Sequence, residues 1–367
     1  MADPRMTIWA RTLVDFSVRV QPGDRVAITG GAAAEPLFRA IFQAVIERGA
    51  FPVMVPVLPG FAPELLMHGN DDQLQYISPV ERFLREETDV LITVMADTNT
   101  KAMSAVQPGR QVVFQKARTK LMETFLRRSA EGSLRWVSTL FPTDAYAQDA
   151  DMSTADFTDF VFAACKLGEP DPAAAWLELA AEQERLIGWL AGKRRVHLRG
   201  RDTDLTLAVE GRTWISADGT MNFPDGEIFT APVEDAVDGH VRFSYPVVTQ
   251  GREVHDVRLR FVGGRVVDAS AAKNEAFLIQ TLDTDPGARV LGELAIGTNF
   301  NINRFTKNIL FDEKIGGTVH MAVGAGYPES GSINTSAVHW DMICDLRGGG
   351  GIDVDGEPFL RDGKFVV

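Results

Sequence analysis

Hydrophobic and polar positions alternate on two different periods along this chain. In the first half, short apolar runs at Asp24–Thr29, Pro52–Leu58, Asp89–Met95 and Arg135–Leu140 are separated by helical patterns. Between the first two, Leu37, Ile41, Ala44, Val45 and Ile46 recur at helical spacing within Glu35–Gly49. Runs that are apolar on both alternating faces predict a parallel sheet with helices on each side. Right-handed crossovers make it a small doubly wound domain. Gly30 and Gly31 close the first run and read as a turn, and Ala173–Leu190 predicts one long amphipathic helix closing this half.

The second half changes to a period of two. Arg195–Arg199, Leu205–Val209, Arg212–Ser216, Val241–Val248 and Val257–Val262 predict short strands separated by turn residues. Gly263-Gly264 marks a hairpin, since a tight turn needs positive φ. One helix is predicted at Ala271–Leu282, and Gly348–Gly351 reads as a loop. The fold class expected is α/β: a small doubly wound parallel-sheet N-terminal domain over 1–192, then a mixed α+β, strand-rich C-terminal domain over 193–367.

Composition narrows this picture. A length of 367 residues suits two domains, and 45% hydrophobic with 24% charged residues excludes a disordered chain. The net charge of −13 argues against nucleic acid or an anionic membrane surface as partner. Prolines 52, 56, 59 and 63 break the most apolar stretch, Phe51–Leu66, so no spanning helix is expected there. Met1–Arg11 carries no signal-peptide stretch, and two cysteines, Cys165 and Cys344, fit a reducing compartment. The chain reads as soluble and cytoplasmic.

Five of the six histidines lie in the second half. In Ser336–Ile343, read as a strand, His339 and Asp341 fall on one face, a pair that suits a divalent metal. An ion pair orienting a core strand is the alternative. Gly316–Gly324 is another strand-like segment with His320 at its centre, where a satisfied core histidine is the plain reading of one His alone. Two such strands close together favour ligands. Tyr327 follows on a Gly/Pro-shaped turn, placed either to lean over a developing oxyanion or simply to cap the turn.

Two acidic segments complete the set. Glu227 begins an extended segment beside Ile228 and Phe229, and Glu293 sits in the apolar, glycine-punctuated run Gly287–Gly297. A carboxylate with such flanks is costly unless paired or bound to a metal. Two Glu, two His and one Asp can hold two divalent ions roughly 3.5–4 Å apart with a bridging carboxylate. Nearby Asp225, Asp312, Glu313 and Lys314 read as solvated loop charges, with contacts to the ligands or substrate as the alternative. There is no His-Glu-x-x-His, Gly-x-Ser-x-Gly or Walker motif.

Four segments, NFPDGEIFTAP, GARVLGELAIGTN, DEKIGGTVHMAVGAGYPE and SAVHWDMICDL, occur in that order. Together they resemble the M29 family of metalloaminopeptidases, and the stretch from Trp9 to Phe42 is similar to that family's N-terminal region. The resemblance implies metal ligands at Glu227, Glu293, His320, His339 and Asp341, and an active-site tyrosine at Tyr327. It implies catalytic parts for Glu227, Glu293 and Tyr327. It further implies two divalent ions per chain, zinc or cobalt before manganese or magnesium, a peptide substrate and a cytoplasmic homodimer. The chain is shorter than typical members, which bears on the access route. The alternative is a non-haem Fe(II) ring-cleaving dioxygenase of the 2,5-dihydroxypyridine type, since two His and one carboxylate suffice for such a site.

Overall fold

In the computed structural model, which describes residues 3–249 and 252–367, the four apolar runs of the first half become parallel strands. These are β1 (Arg25–Gly31), β2 (Phe51–Val57), β3 (Val90–Met95) and β4 (Arg135–Leu140). The sheet order is β2-β1-β3-β4, followed by the short strand Asn222–Phe223, every pair parallel. Val26, Ala27 and Ile28 are successive and all buried, as a strand covered on both faces requires. Pro52 and Pro56 fall on β2, the edge strand, where a missing N–H leaves no gap in the ladder. The helix Glu35–Glu47 buries Leu37, Phe38, Ile41, Ala44 and Val45 along one stripe.

Gly30 and Gly31 do not form a turn; they lie within β1. A Cβ on Gly30 would stand 1.9 Å from Val94 O, and one on Gly31 2.5 Å from Ala96 O. Close backbone approach to the neighbouring strand is what demands glycine here.

The chain divides into two compact units, Met1–Ala173 with Gly219–Pro224, and Ala174–Asp218 with Asp225–Val367. The helix Pro172–Leu190 therefore lies almost wholly with the second unit, whereas the sequence pattern put it at the end of the first. The reason is specific bonding and burial. Gln183 Nε2 donates to Ala217 O, Glu227 O and Thr298 Oγ1, and Leu186 and Leu190 join the second unit's core.

The second unit is antiparallel. An eight-stranded sheet runs from Arg265–Ser270 at one edge to Lys364–Phe365 at the other, and includes the Gly263-Gly264 hairpin. The predicted strand Val241–Val248 is interrupted: Val237–Arg242 joins this sheet, and Val247–Thr249 pairs with Arg252–Val254. The predicted helix begins later, at Glu275, and ends at Leu282 as expected. Gly348–Gly350 is a loop, but Gly351 opens the strand Gly351–Val354.

A separate five-stranded sheet positions the candidate site. Its strands are β5 (Ile215–Ala217), β6 (Glu227–Thr230), β7 (Leu291–Gly297), β8 (Thr318–Gly324) and β9 (His339–Asp345), in the order β9-β8-β7-β6-β5. One face carries Ile228, Leu294, Ile296, Val319, Met321, Val323, Trp340 and Met342 into the hydrophobic core. Among the described residues, no helix is long and apolar enough to cross a membrane.

Candidate metal centre

The period of two that sends one face of this sheet into the core sends the polar residues to the other. Register aligns Gly324 with His339, Ala322 with Asp341 and with Glu293, Ala295 with His320, and Gly297 with Glu227. Glu227, Glu293, His320, His339 and Asp341 thus share one face, with alanine and glycine between them. Those small residues leave room above the sheet.

One irregularity makes the arrangement possible. The pairing of β7 with β8 shifts between Leu291 and Glu293, a bulge at Gly292. Strict alternation would put both residues on one face. With the extra residue, Leu291 enters the core while Glu293 faces the cluster. Gly292 fits there only without a side chain, since a Cβ would lie 2.3 Å from Ala325 O.

Both imidazoles are oriented by the backbone. Nδ1 of His320 lies 3.0 Å from Glu313 O, and Nδ1 of His339 lies 2.8 Å from Ala325 O. Each Nδ1–H donates to its carbonyl, which turns Nε2 toward the carboxylates. His320 Nε2 is 3.6 Å from Glu227 Oε2 and 3.5 Å from Glu293 Oε1. His339 Nε2 is 3.4 Å from Glu293 Oε2 and 3.5 Å from Asp341 Oδ1. Such separations are long for hydrogen bonds and leave space for an ion between donors.

Two overlapping groups of donors result, Glu227–Glu293–His320 and Glu293–His339–Asp341, each with its atoms within 4.8 Å of one another. Glu293 belongs to both. Glu227 Oε2 and Asp341 Oδ1 are buried without a hydrogen-bond partner. A carboxylate oxygen deprived of both water and donors is costly, and a divalent cation removes that cost. The donor set fits a metal.

Without an ion, protons take its place. Burial opposes charging of His320, but Glu227 and Glu293 outweigh it and push the imidazole up to about 10. At His339 burial is likewise outweighed, by Asp341 and Glu293, and the imidazole rises to about 11. Glu293 shows the opposite balance: burial would raise it, yet the two imidazoles hold it down to about 2. Burial carries Glu227 well above the usual carboxylate range despite Lys314 nearby.

Tyr327 lies just before the turn Pro328–Ser330, as its sequence context suggested. Its ring meets His339 edge-on at 5.3 Å between centroids and Phe229 at 5.5 Å. Burial first, then Glu293 and Asp341, push its phenol upward, so the hydroxyl stays protonated and able to donate.

Three of the neighbours read as solvated loop charges are not solvated. Lys314 is 0% exposed, Asp225 and Asp312 2% each. The loop folds inward because Asn299 N donates to Lys314 O and Gly316 N to Asn299 O. Lys314 Nζ bonds Glu313 Oε1 and stands 3.8 Å from Glu227 Oε1 and 3.9 Å from Asp225 Oδ1. Burial pushes Asp225 up to about 6 against the pull of Lys314. Asp312, whose Oδ1 accepts from Thr306 N and Oγ1, is pushed by burial to about 8. Glu313 also forms a third donor group with His320 and Asp341. The sequence signal for this burial was the apolar flanks of Asp312-Glu313-Lys314, Phe311 and Ile315.

Comparison with known proteins agrees with this chemistry. The profile of the thermophilic metalloprotease family M29 matches residues 2–365. Aminopeptidase 2 of Geobacillus stearothermophilus is 27% identical over 417 aligned positions, covering 98% of this chain and 97% of that one. At least 50 of those 417 positions face gaps here, because the chain has only 367 residues. Aminopeptidase T of Thermus aquaticus is 29% identical, covering 74% of this chain and 76% of that one. The solved structure of wild-type AmpT from Thermus thermophilus superposes with a TM-score of 0.87 at 25% identity, covering 99% of both chains. The oxygenase alternative finds no support in these matches. With a full-length family match on a fold that gathers metal donors on one sheet face, the chain belongs to the M29 family of metalloproteases, metal-dependent hydrolases of peptide bonds.

Proposed function

We propose that this chain is an aminopeptidase that releases N-terminal residues from peptides at a centre of two divalent ions. Glu227, Glu293, His320, His339 and Asp341 would hold the ions, and Glu293 is the residue common to both donor groups. The observation that carries the reading is charge. Asp225, Glu227, Glu293, Glu313 and Asp341 are five carboxylates that meet the donor groups or the one ammonium, Lys314, while Asp312 is engaged by Thr306. Once the imidazoles are neutral ligands, two divalent ions balance the four remaining negative charges and one does not. Uncompensated buried charge is expensive, so two ions suit this cluster.

When bound, the ions supply Lewis-acid polarisation of the scissile carbonyl and acidify a water to a nucleophile. The protein's own groups do the rest. Glu227 keeps Oε1 toward Lys314 and would give Oε2 to an ion, and one of the two glutamates, Glu293 or Glu227, would take the proton released by the attacking water. That proton then passes to the leaving amine. The Tyr327 hydroxyl donates to the oxyanion that develops on the carbonyl oxygen, its ring steadied by His339 and Phe229.

Imidazole and carboxylate donors together support zinc or cobalt as the ion, with manganese or magnesium as substitutes. A cysteine count of two, both buried, supports a cytoplasmic setting. Exposed Phe51, Val57, Leu58 and Phe61 on the first unit support a homodimer, checked by light scattering. The deciding experiment couples metal analysis to hydrolysis of aminoacyl amides and short peptides. It should find about two ions per chain and turnover dependent on them. Glu227→Gln and Glu293→Gln should each lose most activity with unchanged circular dichroism; near-normal rates in both would sink the scheme.

A further inference from the structure

A cavity of about 170 Å³ lies beside β9 and shares His339 and Asp341 with the cluster just described. Its walls are otherwise largely apolar: Val247, Val248, Phe305, Ile309 and Ile343. The walls are braced. Ile343 shares the cluster's face of β9, and its carbonyl accepts from Ser244 N at 2.9 Å, which ties the following segment to this edge strand. Phe305 stacks on Tyr245 at 4.7 Å with ring planes 4° apart, and Tyr245 Oη donates to Asp345 Oδ2.

Resting on the aminopeptidase reading, we infer that this cavity receives the side chain of the substrate's N-terminal residue and selects apolar side chains up to a single aromatic ring. Size is the first argument. An apolar cavity of about 150 Å³ holds one benzene, so this one takes a single side chain and no more of a peptide. Whole-ligand pockets are larger, about 300–1,000 Å³. An exopeptidase substrate has one residue before the scissile bond and a chain of any length after it. A cavity that ends after one side chain matches the first and obstructs the second. Composition is the second argument. The apolar walls reward an aliphatic or phenyl group and leave a charged one poorly solvated.

The test holds the leaving group constant. Metal-loaded wild type is assayed on Gly, Ala, Leu, Phe, Trp, Arg and Glu p-nitroanilides. Leu and Phe should exceed Gly in kcat/KM by about 10- to 200-fold, with Trp, Arg and Glu far below them. Ile309 is 46% exposed, so Ile309→Trp fills the cavity without disturbing the core. It should lower kcat/KM for Leu and Phe by about tenfold or more, and for Ala by less than about threefold, with metal content unchanged. Calorimetry supplies a readout without turnover: L-leucine should bind wild type more tightly than glycine and lose that advantage in Ile309→Trp. An equal loss on every substrate, a best rate with Arg or Glu, or selection following the second residue of Ala-X dipeptides would overturn the assignment. If wild type turns over nothing, the aminopeptidase reading fails instead, and the calorimetric comparison still decides the pocket.

Discussion

Removing the buried ammonium of Lys314 is the sharpest perturbation this structure offers. Lys314→Met keeps an unbranched side chain of similar length but leaves Asp225, Glu227 and Glu313 facing one another without a cation. At about 4 Å and an effective dielectric of about 20, each unit pair is worth about 4 kcal/mol before desolvation. Burial of the ammonium takes back a large part of that sum. Loss of one partner from a buried pair typically costs about 3–5 kcal/mol, and that is the expected destabilisation. In chelator-treated protein it should lower the urea midpoint by about 1 M or more, at a slope of about 3 kcal/mol/M. Adding Glu313→Gln removes one stranded charge and should restore about 1 kcal/mol or more, a coupling that a double-mutant cycle reads directly. A loss below about 1 kcal/mol, or no coupling to Glu313, would refute the view that Lys314 neutralises this cluster.

Ion uptake should depend steeply on pH. His320 and His339 stand at about 10 and 11 in ion-free protein, so binding near neutral pH displaces two protons. From these two imidazoles apparent affinity should therefore rise with pH by about a hundredfold per unit, slacken above about pH 10 and level off above about 11; a flat profile in competition titrations would contradict this. Gly292→Ala should destabilise by about 1–3 kcal/mol and weaken ion binding, because the new Cβ cannot coexist with Ala325 O and the bulge must move. Thermal melts with and without metal measure both effects. Tyr327→Phe should cut kcat by about 10²–10³ while metal content and KM hold; a nearly normal kcat would remove Tyr327 from oxyanion stabilisation.

Much of the fold was legible in the chain. The four parallel strands of the first unit fall within a residue or two of their apolar runs; burial on both faces gives β1 and β3 an unbroken apolar signature, while the edge strand β2 stays apolar although none of its residues is fully buried. Harder to read were places where tertiary partners decide. Gly30 and Gly31 look like a turn, yet serve the close approach of β1 to its neighbour. The helix Pro172–Leu190 carries no mark of which unit it packs against; Gln183 settles that through three acceptors distant in sequence. The C-terminal strands Gly351–Val354, Glu357–Arg361 and Lys364–Phe365 are too short to show a period.

The sequence by itself determined the donor types and, for most of them, the face they occupy. His339 and Asp341 are two apart, so a strand must present them together, and carboxylates in apolar runs announce that something must compensate them. What only the tertiary structure decided is how these pieces meet. The bulge at Gly292 reverses the facing of Glu293 relative to Leu291, a step that alternation cannot foresee because the extra residue is defined by the partner strand. Lys314 is charged in any reading of the chain, but its burial among three carboxylates follows from where the Asn299 loop folds back. Local pattern sets which way a side chain points along its own strand. The distance between charges on different strands, and with it the cost that a bound ion relieves, exists only once the sheet has closed.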